Sequence, residues 1–187
     1  MGELVRAENL TRYYPQHGTK IDGAYPDSIR AFHLPEYDEI PDTGLYLDQA
    51  ARYVSETLHP LPGAGVTGSM VSNYVKRNLL ANPIRKQYGR EQLAHLIFIV
   101  MAKSVLSIED LRLLVQLQRS TCDSRAAYGY FRTELERALR CAVGSETELS
   151  LPGAQDSREK RILHTAIAAI AHKLCLNAQL AQLRSGG

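Results

Sequence analysis

Between Val66 and Arg90 the chain has no aspartate and no glutamate, although it carries Lys76, Arg77, Arg85, Lys86 and Arg90 there. Outside this segment acidic residues slightly outnumber basic ones, so the formal charge of the 187 residues is only +2. The positive charge is local, and whole-chain charge says little about partners. Cysteine is scarce as well. Cys122, Cys141 and Cys175 are widely spaced, odd in number and form no CxxC pair, which argues against a disulfide framework and a structural zinc site. No apolar run approaches the roughly 18 residues of a membrane-crossing helix. The opening MGELVRAENL has early charge and no apolar core, so no secretory signal is expected. Arg6 stands where a myristoylation signal after Met1-Gly2 would have Ser or Thr. A cytoplasmic location is expected by default. Tryptophan is absent, which decides nothing.

Reactive motifs are missing too. The sequence shows no catalytic Gly-rich phosphate loop, GxSxG, HExxH or DxD pair, so no enzyme is nominated and no cofactor or metal is expected. His172 and Cys175 stand one helical turn apart and His164 lies upstream, but two ligands do not make a transition-metal site. Histidines at the solvent edge beside a buried cysteine are the simpler expectation, and His95 should cover the rim of its helix. Glu36, Asp38, Glu39 and Asp42 form an acidic cluster bounded by prolines, expected to be a solvated charge run.

What is present is helical. Hydrophobic residues make up 44% and charged residues 22%, the balance of a globular chain. Residues 1–43, broken by Pro15, Pro26, Pro35 and Pro41, read as a weakly structured arm in which only 34–41 has local order. Helical periodicity then predicts helices over 45–59, with Leu47, Ala51, Val54 and Leu58 as its stripe, over 67–78, and over 90–104. A fourth helix begins at Ser107, whose Ser-Ile-Glu-Asp sequence resembles a capping box. A fifth covers 124–143. A loop at 144–155 precedes a last helix, capped by Asp156 or Ser157, that runs to about Leu183 and frays into Arg-Ser-Gly-Gly. The centre of that helix, ILHTAIAAIAHKLCL, is apolar nearly all round, so it should bury itself in its own chain or against a second copy. Residues 83–89 are too short and polar for more than a small hairpin or wing. The division expected is an arm at 1–43, a winged helix-turn-helix at 44–120 and a C-terminal helical region at 121–187.

A helix, a proline, a short basic loop and a new capped helix make a layout suited to nucleic acid, because cations that neutralise phosphates release condensed counterions. Ser69, Ser72 and Asn73 are short polar candidates for base edges, and asparagine can pair bidentately with adenine. Lys76, Arg77, Arg85, Lys86 and Arg90 are candidates for phosphates, with the Tyr88 hydroxyl beside them. The plainer alternative is an ordinary solvated face with Tyr88 in the core.

The run VTGSMVSNYVKRNLLANPIRKQYGREQLAHLIFIVMAKSVLSIEDLRLL resembles the DNA-binding domain of MerR-type regulators. Val71, Tyr74, Leu79 and Leu80 correspond to the recognition helix, Tyr88 and GREQL to the wing and the helix after it, and LSIEDLRLL to the last part. SMVSNYVKRNLL, preceded by LYLDQA, is similar to a bacterial domain family of unknown function described as MerR-like. The resemblance covers roughly residues 34–120. It implies an all-α protein, a MerR-like winged helix-turn-helix with a small wing plus C-terminal helices. It further implies a transcription regulator that reads double-stranded DNA as a homodimer. By resemblance Ser72 and Asn73 contact the DNA backbone, and Arg85 and Tyr88 lie in the wing. Only Cys122 stands near the dimerisation region, so a metal sensor is not implied. The last helix is expected to supply a dimer contact or to line a pocket for an unidentified small-molecule effector. The rival expectation is a protein-interaction adaptor whose basic face meets an acidic partner.

Overall fold

The computed structural model describes residues 27–143 and 157–185. The expected weak structure of residues 1–26, the loop at 144–155, the alternative cap Asp156 and the terminal Gly186-Gly187 lie outside them. Seven α-helices are described: α1 Asp27–Arg30, α2 Leu47–Thr57, α3 Gly68–Lys76, α4 Arg90–Ala102, α5 Ile108–Thr121, α6 Ser124–Ala142 and α7 Arg158–Ser185. A 3-10 turn spans Tyr37–Glu39, and two short strands, β1 Leu45–Tyr46 and β2 Gln87–Tyr88, pair antiparallel with Leu45 opposite Tyr88. The fold is therefore predominantly helical, as the periodicity predicts. β1 is new: Leu45 and Tyr46 were expected inside the first helix.

α4 is the axis. Leu93, Leu96, Ile97, Ile99, Val100 and Met101 are all buried, each removing roughly 1.5–3 kcal/mol worth of apolar surface from water. α2, α6 and α7 all pack against it. α7 is buried along one face only, through Ile167, Ile170, Ala171, Leu174, Cys175 and Ala178, and packs in cis on α6. Ile162, Leu176, Leu180 and Leu183 remain exposed, so the helix is not enclosed all round as its composition suggested. His172 is exposed and Cys175 buried. His164, by contrast, is buried, its Nδ1 3.5 Å from Glu134 Oε2.

Side chains close the helix starts. Ser107 Oγ accepts from Asp110 N at 3.1 Å and donates to its carboxylate at 2.7 Å. Asp123 accepts from Ala126 N at 2.8 Å, and Ser157 from Lys160 N at 3.2 Å. Each pairs a backbone N–H that the helix itself leaves free. α3 ends at Lys76, well before Pro83, where Asn78 takes a left-handed conformation with φ 58°. Leu79 N donates to Tyr74 O at 2.9 Å and Asn78 N to Val75 O at 3.0 Å, the paired bonds of a Schellman ending.

Residues 27–43 are held more firmly than the arm reading implied. Ile29, Phe32, Leu34 and Ile40 are buried in the same core as α4 and α6. The acidic cluster is not simply a solvated run either. Asp38 accepts from Arg125 Nη1 and Nη2 at 2.6 and 2.5 Å, and Glu36 pairs with Arg132 at 2.9 Å. The buried Glu136 carboxylate accepts from Leu34 N at 3.0 Å and lies 3.1 Å from His33 Nδ1. Opposite charges on α6 thus strap the segment down. A run of acids between prolines could not reveal partners about a hundred residues away.

Candidate nucleic-acid interface

The connection from α2 to α3 is fixed before any ligand arrives. Ser55 Oγ donates to Val66 O at 3.0 Å and accepts from Val66 N at 3.2 Å. Leu58, Leu61, Ala64 and Val66 turn inward. A Cβ on Gly68 would lie 2.9 Å from Asp48 Oδ1 and 3.4 Å from Leu47 Cγ, so the missing side chain lets the two helices meet closely. Gly63, Gly65 and Gly68 also have G-x-G-x-x-G spacing. This run follows a helix, not a strand, and so lacks the setting of a dinucleotide loop.

Thr67 caps α3, its Oγ1 accepting from Met70 N at 3.4 Å. At about 100° per residue, Ser69, Ser72, Asn73 and Lys76 fall within one polar arc, while Val71 and Tyr74 are buried on the other side. Ser69, Asn73 and Lys76 are exposed and Ser72 is half-buried. Arg77 is exposed at the helix end, and its Nε donates to Asn73 Oδ1 at 3.4 Å. Arg112 of α5 donates to Arg77 O at 3.2 and 3.3 Å, which holds the last turn in place.

Gln92, buried at the start of α4, ties together the chain on both sides of the 84–87 hairpin. Its Oε1 accepts from Gly89 N at 2.9 Å, and its Nε2 donates to Ala81 O at 3.1 Å and Asn82 O at 2.8 Å. Residues 84–87 form a hairpin with a two-residue tip. Ile84 N and Gln87 N each donate to the other's carbonyl, at 3.0 and 2.9 Å. Arg85 and Lys86 form the tip with φ 51° and 65°, both exposed. These are the dihedral signs of a type I′ turn, for which Asn-Gly is the usual sequence.

Two expected contacts fail. Tyr88 is 4% exposed and lies in the core, with its hydroxyl pKa raised by burial; its ring anchors β2 instead of reaching a phosphate. Arg90 is committed elsewhere, donating to Ile40 O at 2.8 Å and to Asp38 Oδ1 at 3.3 Å. The cations left outward-facing are Lys76, Arg77, Arg85 and Lys86. Sequence reasoning missed Arg112 and Gln92, which carry no outward signal because their roles are bonds to backbone carbonyls. His95 does not rim its helix: it is buried, its Nε2 2.8 Å from Gln118 Oε1. Among the described residues no group of three His, Cys, Asp or Glu could hold a metal ion, and no helix is long and apolar enough to cross a membrane.

No curated protein and no solved structure matches the chain. The resemblance to MerR-type regulators is not sustained: residues 35–131 match the model of a domain of unknown function, and no MerR or helix-turn-helix family matches. The matched segment runs from Pro35 through α2, α3, the hairpin, α4 and α5 into α6, just over half of the sequence. The chain therefore belongs to the DUF1836 family, a domain of unknown function.

Proposed function

We propose that the chain binds duplex DNA in a sequence-specific manner and regulates transcription, with α3 in the major groove and the 84–87 hairpin as a wing over neighbouring phosphates. The observation that carries this reading is the acid-free pairing of a polar helix face with a hairpin tip made of two cations. Ser69, Ser72, Asn73 and Lys76 present short donors and acceptors of the kind that reach base edges. Arg77, Arg85 and Lys86 carry charge that suits phosphates. The buried Val71 and Tyr74 and the bonds from Arg112 and Gln92 fix the positions of both elements, so little ordering entropy opposes docking. Homodimerisation belongs to the same reading, because two copies double the phosphate contacts.

Selection from a random duplex pool tests it. Enrichment of one motif that depends on Asn73 is the expected outcome. Recovery of no motif, together with saturable binding to an acidic polypeptide, would replace the regulator with an adaptor.

A further inference from the structure

A cavity of about 320 Å³ lies where α4, α5, α6 and the first turns of α7 meet. Its volume is within the range of small-molecule sites, roughly 300–1,000 Å³. Phe98, Tyr128, Tyr130 and Phe131 line it, and Phe98 meets Phe131 edge to face at 5.1 Å. The wall surface is mostly apolar, and one polar pair is held in place. His95 Nε2 stands 2.8 Å from Gln118 Oε1, and Gln118 Nε2 donates to Cys122 O at 3.2 Å. Of the lining residues described, the carboxylate is Glu159 and the ammonium Lys160, so the formal charges of this pair cancel. Burial holds the His95 pKa down, which keeps that ring uncharged at neutral pH.

We propose that this cavity is a binding site for a neutral aromatic small molecule of two or three rings, seated among Phe98, Tyr130 and Phe131 with one polar group on the His95–Gln118 pair. Aromatic walls favour an offset or edge-on ring. A net charge on the ligand would lack a matching excess charge in the walls. A ligand polar atom would use the remaining hydrogen-bonding capacity of the Gln118 amide. The site stands apart from α3 and the wing, so this inference does not depend on DNA binding.

The test is titration of the full chain with N-phenyl-1-naphthylamine, an uncharged two-part aromatic whose emission rises in apolar surroundings. Saturable binding of one dye per chain in the micromolar range is expected. Ala127→Trp, which places a large ring in the cavity, should abolish it, and Gln118→Leu should weaken it about tenfold. Far-UV circular dichroism establishes that each variant is folded. Should Ala127→Trp fail to fold, nuclear Overhauser contacts from the dye to the Phe98 and Phe131 rings of the wild-type chain decide the matter. Absence of saturable binding overturns the proposal. So does binding that survives both substitutions, or that shows no contact with those rings.

Discussion

Arg85 and Lys86 occupy consecutive left-handed positions, φ 51° and 65°, between the mutually hydrogen-bonded Ile84 and Gln87. Each side chain holds a conformation that glycine or asparagine adopts at lower cost. Strain of this kind persists where surrounding structure over-determines it and is often tied to function. Here both strained residues are cations at an exposed tip.

Replacing the tip by Arg85→Asn with Lys86→Gly should therefore raise stability by about 1–2 kcal/mol while weakening DNA binding. Losing two phosphate contacts should reduce the magnitude of the salt slope by about 2. Chemical denaturation and binding isotherms measure the two effects separately. A variant that is more stable with unaltered affinity would remove the wing from the interface.

The α3 face should separate two kinds of contact. Asn73→Ala is expected to relax sequence preference, costing about 1–3 kcal/mol on the preferred site and little on others. Lys76→Ala should weaken all duplexes alike. Competition between specific and scrambled duplexes reads the difference, and equal losses on both for Asn73→Ala would deny it a base contact.

Asp38 makes an acid-sensitive strap. Hydrogen bonds from Arg125 hold its carboxyl below the usual aspartate range, aided by the charges of Arg125 and Arg90. A carboxylate whose pKa is lowered by folding contributes stability above its unfolded value, about 3.9, and loses that contribution as pH falls through the folded value. Asp38→Asn should thus be less stable than wild type at neutral pH, with the gap closing as the solution is acidified below about pH 4. Urea midpoints across that range test this. A gap that stays constant would show that Asp38 acts without its charge.

The cysteines should differ in reactivity. Cys122 is exposed between α5 and α6, whereas Cys175 is buried and its thiol is pushed up to about 11 by desolvation. Since the thiolate is the nucleophile, an aromatic disulfide reagent at about pH 8 should modify Cys122 rapidly and leave Cys175 untouched until unfolding. Cys122→Ser should remove the fast phase. A fast phase that remains would place another thiol at the surface.

Helices were the most legible part of the fold, because periodicity and capping residues are local signals. The helix starting after Ser107 and the helix starting after Asp123 stand within a residue or two of expectation. β1 was hidden because Leu45 and Tyr46 continue the apolar pattern of α2, and only their partner β2 makes them a strand. The same limit applied to the candidate site. The exposure of Asn73, Lys76 and Lys86 follows from local pattern, whereas the loss of Arg90 depends on Asp38 and Ile40, fifty residues earlier. Tyr88 could be read as a phosphate contact or as core, because a lone tyrosine in a basic loop carries no sign of which face it turns. Here pairing with Leu45 turned it inward.

The most direct test of the central claim is duplex affinity as a function of salt. Lys76, Arg77, Arg85 and Lys86 face outward, so a single copy should give a slope of log affinity against log salt of about −3 to −4, and a dimer about twice that. Between 50 and 200 mM salt the single-copy value corresponds to a loss of about a hundredfold. A slope near zero, or no binding at the lowest salt, would contradict the account.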